Sequence, residues 1–134
     1  MADVFAKEVD FFSIGTNDLT QYTMSVDRGN EKVSYLYSTF NPAVLRSIRN
    51  IIKCGREAGI MVGMCGEAAS DPMMIPLLLA FGLNEFSMSS SAILKARKMI
   101  TGYSEAELQA VADKAMSFVS AKEIENFMRD FINQ

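Results

Sequence analysis

The stretch FFSIGTNDLT, Phe11 to Thr20, decides how this chain is read. It opens as a short apolar strand, then passes at Gly15 into Thr16-Asn17-Asp18, which is polar and compact and favours turn or cap conformations. An amide and a carboxylate therefore stand side by side at the point where a buried strand stops. Two further stretches have the same form. Ile60 to Cys65 is an apolar run followed at once by Gly66-Glu67, and Asn84 to Met88 runs into Ser89-Ser90-Ser91.

Helical patterns fill the intervals. Residues 1–8 read as the end of a helix, with the first strand over Val9 to Ile14 closing at Gly15. Asn17 to Met24 forms a turn or short helix, and Val26 to Thr39 is irregular with a turn at Gly29-Asn30. Asn41 caps the next helix, Pro42 suits its first turn, and Val44, Leu45, Ile48, Ile51 and Ile52 recur at helical spacing until the end near Gly59. Asp71 and Pro72 open a helix whose apolar side includes Ile75, Leu78 and Leu79, with Gly82 as its stop. Another helix covers roughly 92–101. Two more begin with capping boxes, Ser104 to Glu107 and Ser120 to Glu123.

Strands alternating with helices predict an α/β fold, a parallel sheet with crossover connections. Its strands are expected to be buried on both faces, as their near-continuous apolar runs suggest. Three strands are too few for a complete barrel, which typically needs about 250 residues. The expectation is the C-terminal portion of a (β/α)8 TIM-type barrel, with two extra C-terminal helices and residues 1–134 forming one partial domain.

Composition narrows the function. The chain has 134 residues, 49% of them hydrophobic, and can bury a core; its net charge of −3 and lack of any basic run argue against a nucleic-acid partner. The longest apolar stretch, Met73 to Phe81, contains Pro76 and is too short to span a bilayer. No secretion signal opens the chain, and a cytoplasmic location is expected. The two cysteines, Cys54 and Cys65, make neither a disulfide framework nor a metal cluster. Without any His, zinc and histidine acid–base chemistry are excluded from this chain.

In parallel α/β folds functional groups gather at the carboxyl ends of strands. Those ends offer Thr16, Asn17 and Asp18, then Cys65, Gly66 and Glu67, then Ser87 to Ser91, with Arg28 in the irregular segment after the first strand. The set suits a phosphorylated anionic substrate. Asp18 is a hard oxygen ligand for Mg²⁺, Asn17 donates to a phosphate oxygen without adding charge, and Arg28 grips a phosphoryl group through two N–H donors. Cys65 can donate a proton to carbon, since a thiol with a reference pKa of about 8.5 is largely protonated at neutral pH. Each group has a plainer reading: Asn-Asp as turn and cap, Cys65 as a small buried hydrophobe, Arg28 as a solvated surface residue.

The segments FFSIGTNDLTQYTMSVDRGNEKVSYLY, VGMCGEAASDP and NEFSMSSSAILKAR resemble the C-terminal phosphoenolpyruvate-binding domain of enzyme I of the bacterial phosphotransferase system. GTNDLTQ is shared with the wider phosphoenolpyruvate-utilising family, which includes pyruvate phosphate dikinase and phosphoenolpyruvate synthase; VDRGN and MCGE narrow the likeness to enzyme I. The resemblance implies a (β/α)8 barrel that binds phosphoenolpyruvate with Mg²⁺, dimerises, and serves a histidine-containing phosphocarrier protein through a separate N-terminal domain. It implies that Asn17 binds the phosphate, Asp18 ligates the metal, Arg28 contacts the phosphoryl group and Cys65 protonates the enolate to give pyruvate. Backbone contacts to substrate are implied at Gly15 and Thr16. The alternatives are a fragment of a dikinase or synthase, and a non-catalytic dimerisation module. Because the phosphorylated His and the remaining metal and arginine ligands of the family are absent here, this piece is expected to lack turnover and to self-associate as a homo-oligomer through exposed strand edges.

Overall fold

The computed structural model describes residues 1–133. A short helix α1 (Ala2–Phe5) precedes strand β1 (Phe11–Gly15), which passes directly into helix α2 (Thr16–Met24). After an irregular segment carrying one 3-10 turn (Ser34–Leu36) come helix α3 (Pro42–Glu57) and strand β2 (Met61–Cys65). A second 3-10 turn (Glu67–Ser70), helix α4 (Ile75–Phe81) and strand β3 (Glu85–Phe86) follow, and helices α5 (Ser90–Ile100), α6 (Glu105–Ser117) and α7 (Ala121–Ile132) complete the chain. The sheet is parallel in the order β1-β2-β3.

The long helix forms where its sequence places an apolar stripe behind a cap. Asn41 Oδ1 accepts a hydrogen bond from the Ala43 N–H at 2.9 Å, and Pro42 occupies the first turn, where its missing donor costs nothing. Val44, Leu45, Ile48 and Ile52 are completely buried against Ile14, Val62 and Met64 of the sheet and Leu77 and Leu78 of α4. Ile51 is half-buried at the edge of this core. Gly82 ends α4 in the left-handed conformation, with φ at +89°. Both C-terminal capping boxes form, and in each the serine hydroxyl and N–H hold the glutamate carboxylate, Glu107 or Glu123, below its ordinary pKa. Ile124 and Met128 of α7 and Val111, Ala112 and Ala115 of α6 then join the core.

Three expectations need correction. The helix expected from Asp71 starts later: Asp71 Oδ1 accepts from the Met73 N–H at 2.8 Å, which closes a local turn, and α4 begins only at Ile75. The first and third strands are shorter than their apolar runs, with Val9 and Asp10 outside β1 and only Glu85 and Phe86 in β3. Most informatively, the sheet is covered on one face alone. Phe12, Ile14, Val62 and Met64 pack under the helices, whereas Phe11 and Met61, paired on the other face, are 58% and 51% exposed. The reason is topological. Crossovers of one hand between strands laid down in the order 1-2-3 put the connecting helices α2, α3 and α4 on the same side.

Helix α3 and strand β2 approach closely at Gly55. A methyl group there would collide with the side chain of Val62, a stiff β-branched residue with no exposed surface. Ala is the better helix former by about 1 kcal/mol, but overpacking costs about 1–3 kcal/mol. We expect Gly55→Ala to lower stability by about 1–2 kcal/mol, read as a fall in the urea midpoint at unchanged slope. A higher midpoint would mean that α3 and β2 are not in this contact.

Candidate functional site

At the carboxyl end of the sheet, Gly15 and Cys65 are register partners on neighbouring strands. The Thr16 hydroxyl, fully buried, donates to the Cys65 carbonyl at 3.1 Å and ties the two strand ends together. Gly66 follows with φ at +98°, and a Cβ there would stand 2.5 Å from Thr16 Oγ1 and 3.5 Å from Asn17 Oδ1. Only a bare Cα fits, so the Asn17 amide lies directly against the end of β2. The strand-end motifs Gly15-Thr16-Asn17 and Cys65-Gly66 thus form one continuous rim.

The rest of the site is arranged around this junction. Asp18 lies in the first turn of α2, exposed, where the helix dipole favours a carboxylate. Gly15 supplies no side-chain cap, so the first backbone N–H groups of α2 lack a capping partner on the same rim. Cys65 is an exposed free thiol on the open face of the sheet. At the third strand end, the Ser87 N–H donates to the Met64 carbonyl at 2.9 Å, and the Ser87 hydroxyl donates to the Glu85 carboxylate. Glu85 itself lies across Gly63 on the open face.

Arg28 stands apart. It is exposed in the loop after α2, and its backbone N–H donates to Gln21 Oε1 at 3.3 Å. Ser25 ends α2 with φ at 53°, and the buried Val26 anchors the loop. Asp27 Oδ1 then accepts from the Gly29 N–H at 2.8 Å. Among the described residues the Arg28 guanidinium makes no hydrogen bond or ion pair with Asn17, Asp18 or Cys65. The segment beyond does return to the rim: the Tyr37 hydroxyl donates to the Asn17 carbonyl at 3.2 Å, and Thr20 meets Thr39 at 3.5 Å. Residue type alone does not mark Tyr37 or the close-packing role of Gly66. Gly66 has a signal in an apolar run halted by glycine, while nothing in the sequence around Tyr37 points to the rim.

Among the described residues no group of three or more His, Cys, Asp or Glu is placed to hold a metal ion, and no helix is long and apolar enough to cross a membrane. The rim therefore offers the Asn17 amide, the free carboxylates of Asp18 and Glu67, the Cys65 thiol and a set of helix-terminal N–H donors. Such a set can hold an anion at the helix end and present a proton donor beside it.

Residues 1–104 match the family model described as PEP-utilising enzyme, PEP-binding domain, where PEP is phosphoenolpyruvate. The chain belongs to this family. Within it, the chain is 50% identical over 131 residues to the phosphoenolpyruvate-protein phosphotransferase of Staphylococcus carnosus (strain TM300), covering 98% of this chain and 23% of that protein. The protein of the same name from Priestia megaterium is 54% identical over 129 residues, covering 96% of this chain and 22% of the relative. Against that of Staphylococcus aureus the identity is 50% over 132 residues, covering 98% and 23%. The chain thus spans under a quarter of the length of the curated relatives it matches. As a member of the PEP-utilising family, it carries the strand ends that the GTND and MCGE motifs occupy.

The junction is testable by two glycine substitutions. Gly66→Ala combines a left-handed φ with contact against Thr16 and is expected to cost about 1–3 kcal/mol. At Gly15 nothing lies within 4 Å of where a methyl group would stand, and φ is −82°, so Gly15→Ala is expected to fall within about 1 kcal/mol of the parent. Chemical denaturation checks both, and equal effects would contradict the close approach at Gly66.

Proposed function

We propose that this chain is part of the phosphoenolpyruvate site of an enzyme that transfers the phosphoryl group of phosphoenolpyruvate to a protein histidine and releases pyruvate. The observation that carries this reading is the junction of Gly15-Thr16-Asn17 with Cys65-Gly66 at one sheet end, in a chain half-identical to phosphoenolpyruvate-protein phosphotransferases. Sequential parallel strand order with the crossover helices on one side supports membership of a (β/α)8 barrel, whose interior the open face would line.

In this reading the phosphoryl group sits over the N-terminus of α2. The first-turn N–H groups near Gly15 and Thr16 and the Asn17 amide hydrogen-bond its oxygens, and Arg28 neutralises charge from the flanking loop. Asp18 forms no ion pair among the described residues and is a suitable hard ligand for Mg²⁺, which takes one or two protein carboxylates together with substrate oxygens and water. Mg²⁺, when bound, supplies neutralisation of phosphate charge. When the P–O bond to the enol oxygen breaks, that oxygen keeps the electron pair as an enolate. The Cys65 S–H then delivers its proton to the methylene carbon, giving the methyl group of pyruvate, and the thiolate recovers a proton from solvent.

The acceptor histidine must lie outside this chain, which contains none. In this reading the histidine belongs to another domain of the enzyme, which passes the phosphoryl group on to a histidine-containing phosphocarrier protein. Turnover by the 134-residue chain alone is therefore not expected, although ligand binding is. The exposed Phe11 and Met61 also favour self-association until the open face is covered.

Titration calorimetry of phosphoenolpyruvate into the chain tests the site. Saturable binding that strengthens with Mg²⁺ is expected. Arg28→Ala should weaken it tenfold or more, Asp18→Asn should remove the Mg²⁺ dependence, and Cys65→Ser should leave affinity unchanged. Binding indifferent to both Arg28 and Asp18 would overturn the assignment.

A further inference from the structure

Helix α3 carries a second chemistry on its outer face. Arg46, Arg49, Lys53 and Arg56 follow one another at intervals of three, four and three, which stacks them along one side of the helix. They are four of the thirteen basic residues in a chain of net charge −3. The face is remote from the strand-end rim: none of the rim residues borders the cavities along it.

A cavity of about 460 Å³ opens between α3, α4 and α6, lined by Arg49, Lys53, Arg56, Phe81 and Gln109 among others. It shares Arg49 and Lys53 with a neighbouring hollow of about 400 Å³ that Arg46 also borders. On its other side it shares Arg56 and Gln109 with a hollow of about 640 Å³. These volumes fall in the range of small-molecule sites, about 300–1,000 Å³.

Two of the guanidinium groups are seated by consecutive residues at the end of α4. Arg49 lies over the Phe81 ring, 5.9 Å from its centroid. Arg56 fills the space in which a Cβ on Gly82 would stand, so the glycine that terminates α4 also makes room for this side chain. Neither contact consumes the charge. Among the described residues, Arg46, Arg49 and Arg56 form no ion pair; Lys53 pairs with Glu57 at 3.8 Å in an exposed pair, and Glu57 is the one carboxylate among the residues lining the cavity, against three cations. An exposed pair of this kind holds its lysine weakly.

We propose that this groove binds a small multivalent oxyanion, phosphoryl or carboxylate, between Arg49, Lys53 and Arg56. Planar guanidinium groups match both anion types through paired N–H donors, and holding them in place beforehand lowers the entropy lost on binding. Gln109 adds a neutral polar group on the α6 side; its amide nitrogen currently donates to Asp113 Oδ1 at 2.9 Å. An anion here would bridge α3 to α4 and α6, and so would link occupancy to the packing of the C-terminal helices.

The test is titration calorimetry of the 134-residue chain with pyrophosphate, and separately with citrate, each at ionic strength matched with sodium chloride. Saturable binding of at least one probe is expected. Pyrophosphate alone would assign a phosphoryl ligand, and citrate alone a carboxylate one. The double variant Arg49→Gln/Arg56→Gln should weaken it tenfold or more, and Lys53→Gln, at an exposed side chain, should weaken it severalfold. The binding component that the double variant loses should persist in Arg28→Gln, since any probe held at the strand-end rim depends on Arg28 and not on α3, and this separates the groove from the phosphoenolpyruvate site. Circular dichroism verifies that each variant is folded. The proposal is overturned if neither probe binds beyond the salt control, or if Arg28→Gln abolishes binding that the double variant retains.

Discussion

The pairing of β1 with β2 in one register is the constraint on which everything else in this molecule depends. A slip of one residue in a strand turns every side chain to the opposite face. In β1 it would carry Phe12 and Ile14 out of the core and bring Phe11 into it; in β2 it would exchange Val62 and Met64 for Met61. The same register sets Gly15 beside Cys65, and the buried Thr16 hydroxyl locks it by donating to the Cys65 carbonyl. Core and rim are therefore specified together. The apolar packing under α3 supplies the energy, while a single buried hydroxyl and a glycine without a side chain fix how the two strand ends meet.

The open face of the sheet follows from the same topology. With strands in the order β1-β2-β3 and the crossover helices on one side, the other face of the sheet exposes Phe11 and Met61 and has no covering helix among the described residues. Two large apolar side chains there remain more than half exposed, and Glu85 lies across Gly63 over the middle of the sheet. A surface of this kind is suited to the inside of a closed barrel, where strands from elsewhere would complete the packing. The rim residues proposed to meet phosphoenolpyruvate stand at the end of that same face.

Much of the fold was legible because its signals are local. Apolar runs halted by Gly15 and Gly66, the Asn41-Pro42 helix start, the Gly82 stop and both serine–glutamate capping boxes each act within a few residues. What escaped reading depended on competition or on distance. Asp71 has the residue type of a helix cap but is used in a turn, because its carboxylate reaches the Met73 N–H first. Coverage of one sheet face only is a property of strand order, which no single segment encodes. In the site, the adjacency of Asn17 and Cys65 could be anticipated from strand ends, but the loop that carries Arg28 is held by Gln21, Val26 and short polar turns. The basic row on α3 was hidden in another way: no two of its charges are adjacent in sequence, and only the helical period brings them together.

The most direct measurement of this account is a cross-strand disulfide. Neighbouring strands lie about 4.8 Å apart, within the ~4.4–6.8 Å separation of Cα atoms that a disulfide spans. Gly15 has open space where a side chain would stand. In the variant Gly15→Cys, mild oxidation should give a monomeric product in which residues 15 and 65 are joined and the buried Cys54 thiol stays free, as read by peptide mass mapping. Failure of these two residues to pair within one folded chain, or preferential linkage to Cys54, would contradict the register from which the core and the rim are both derived.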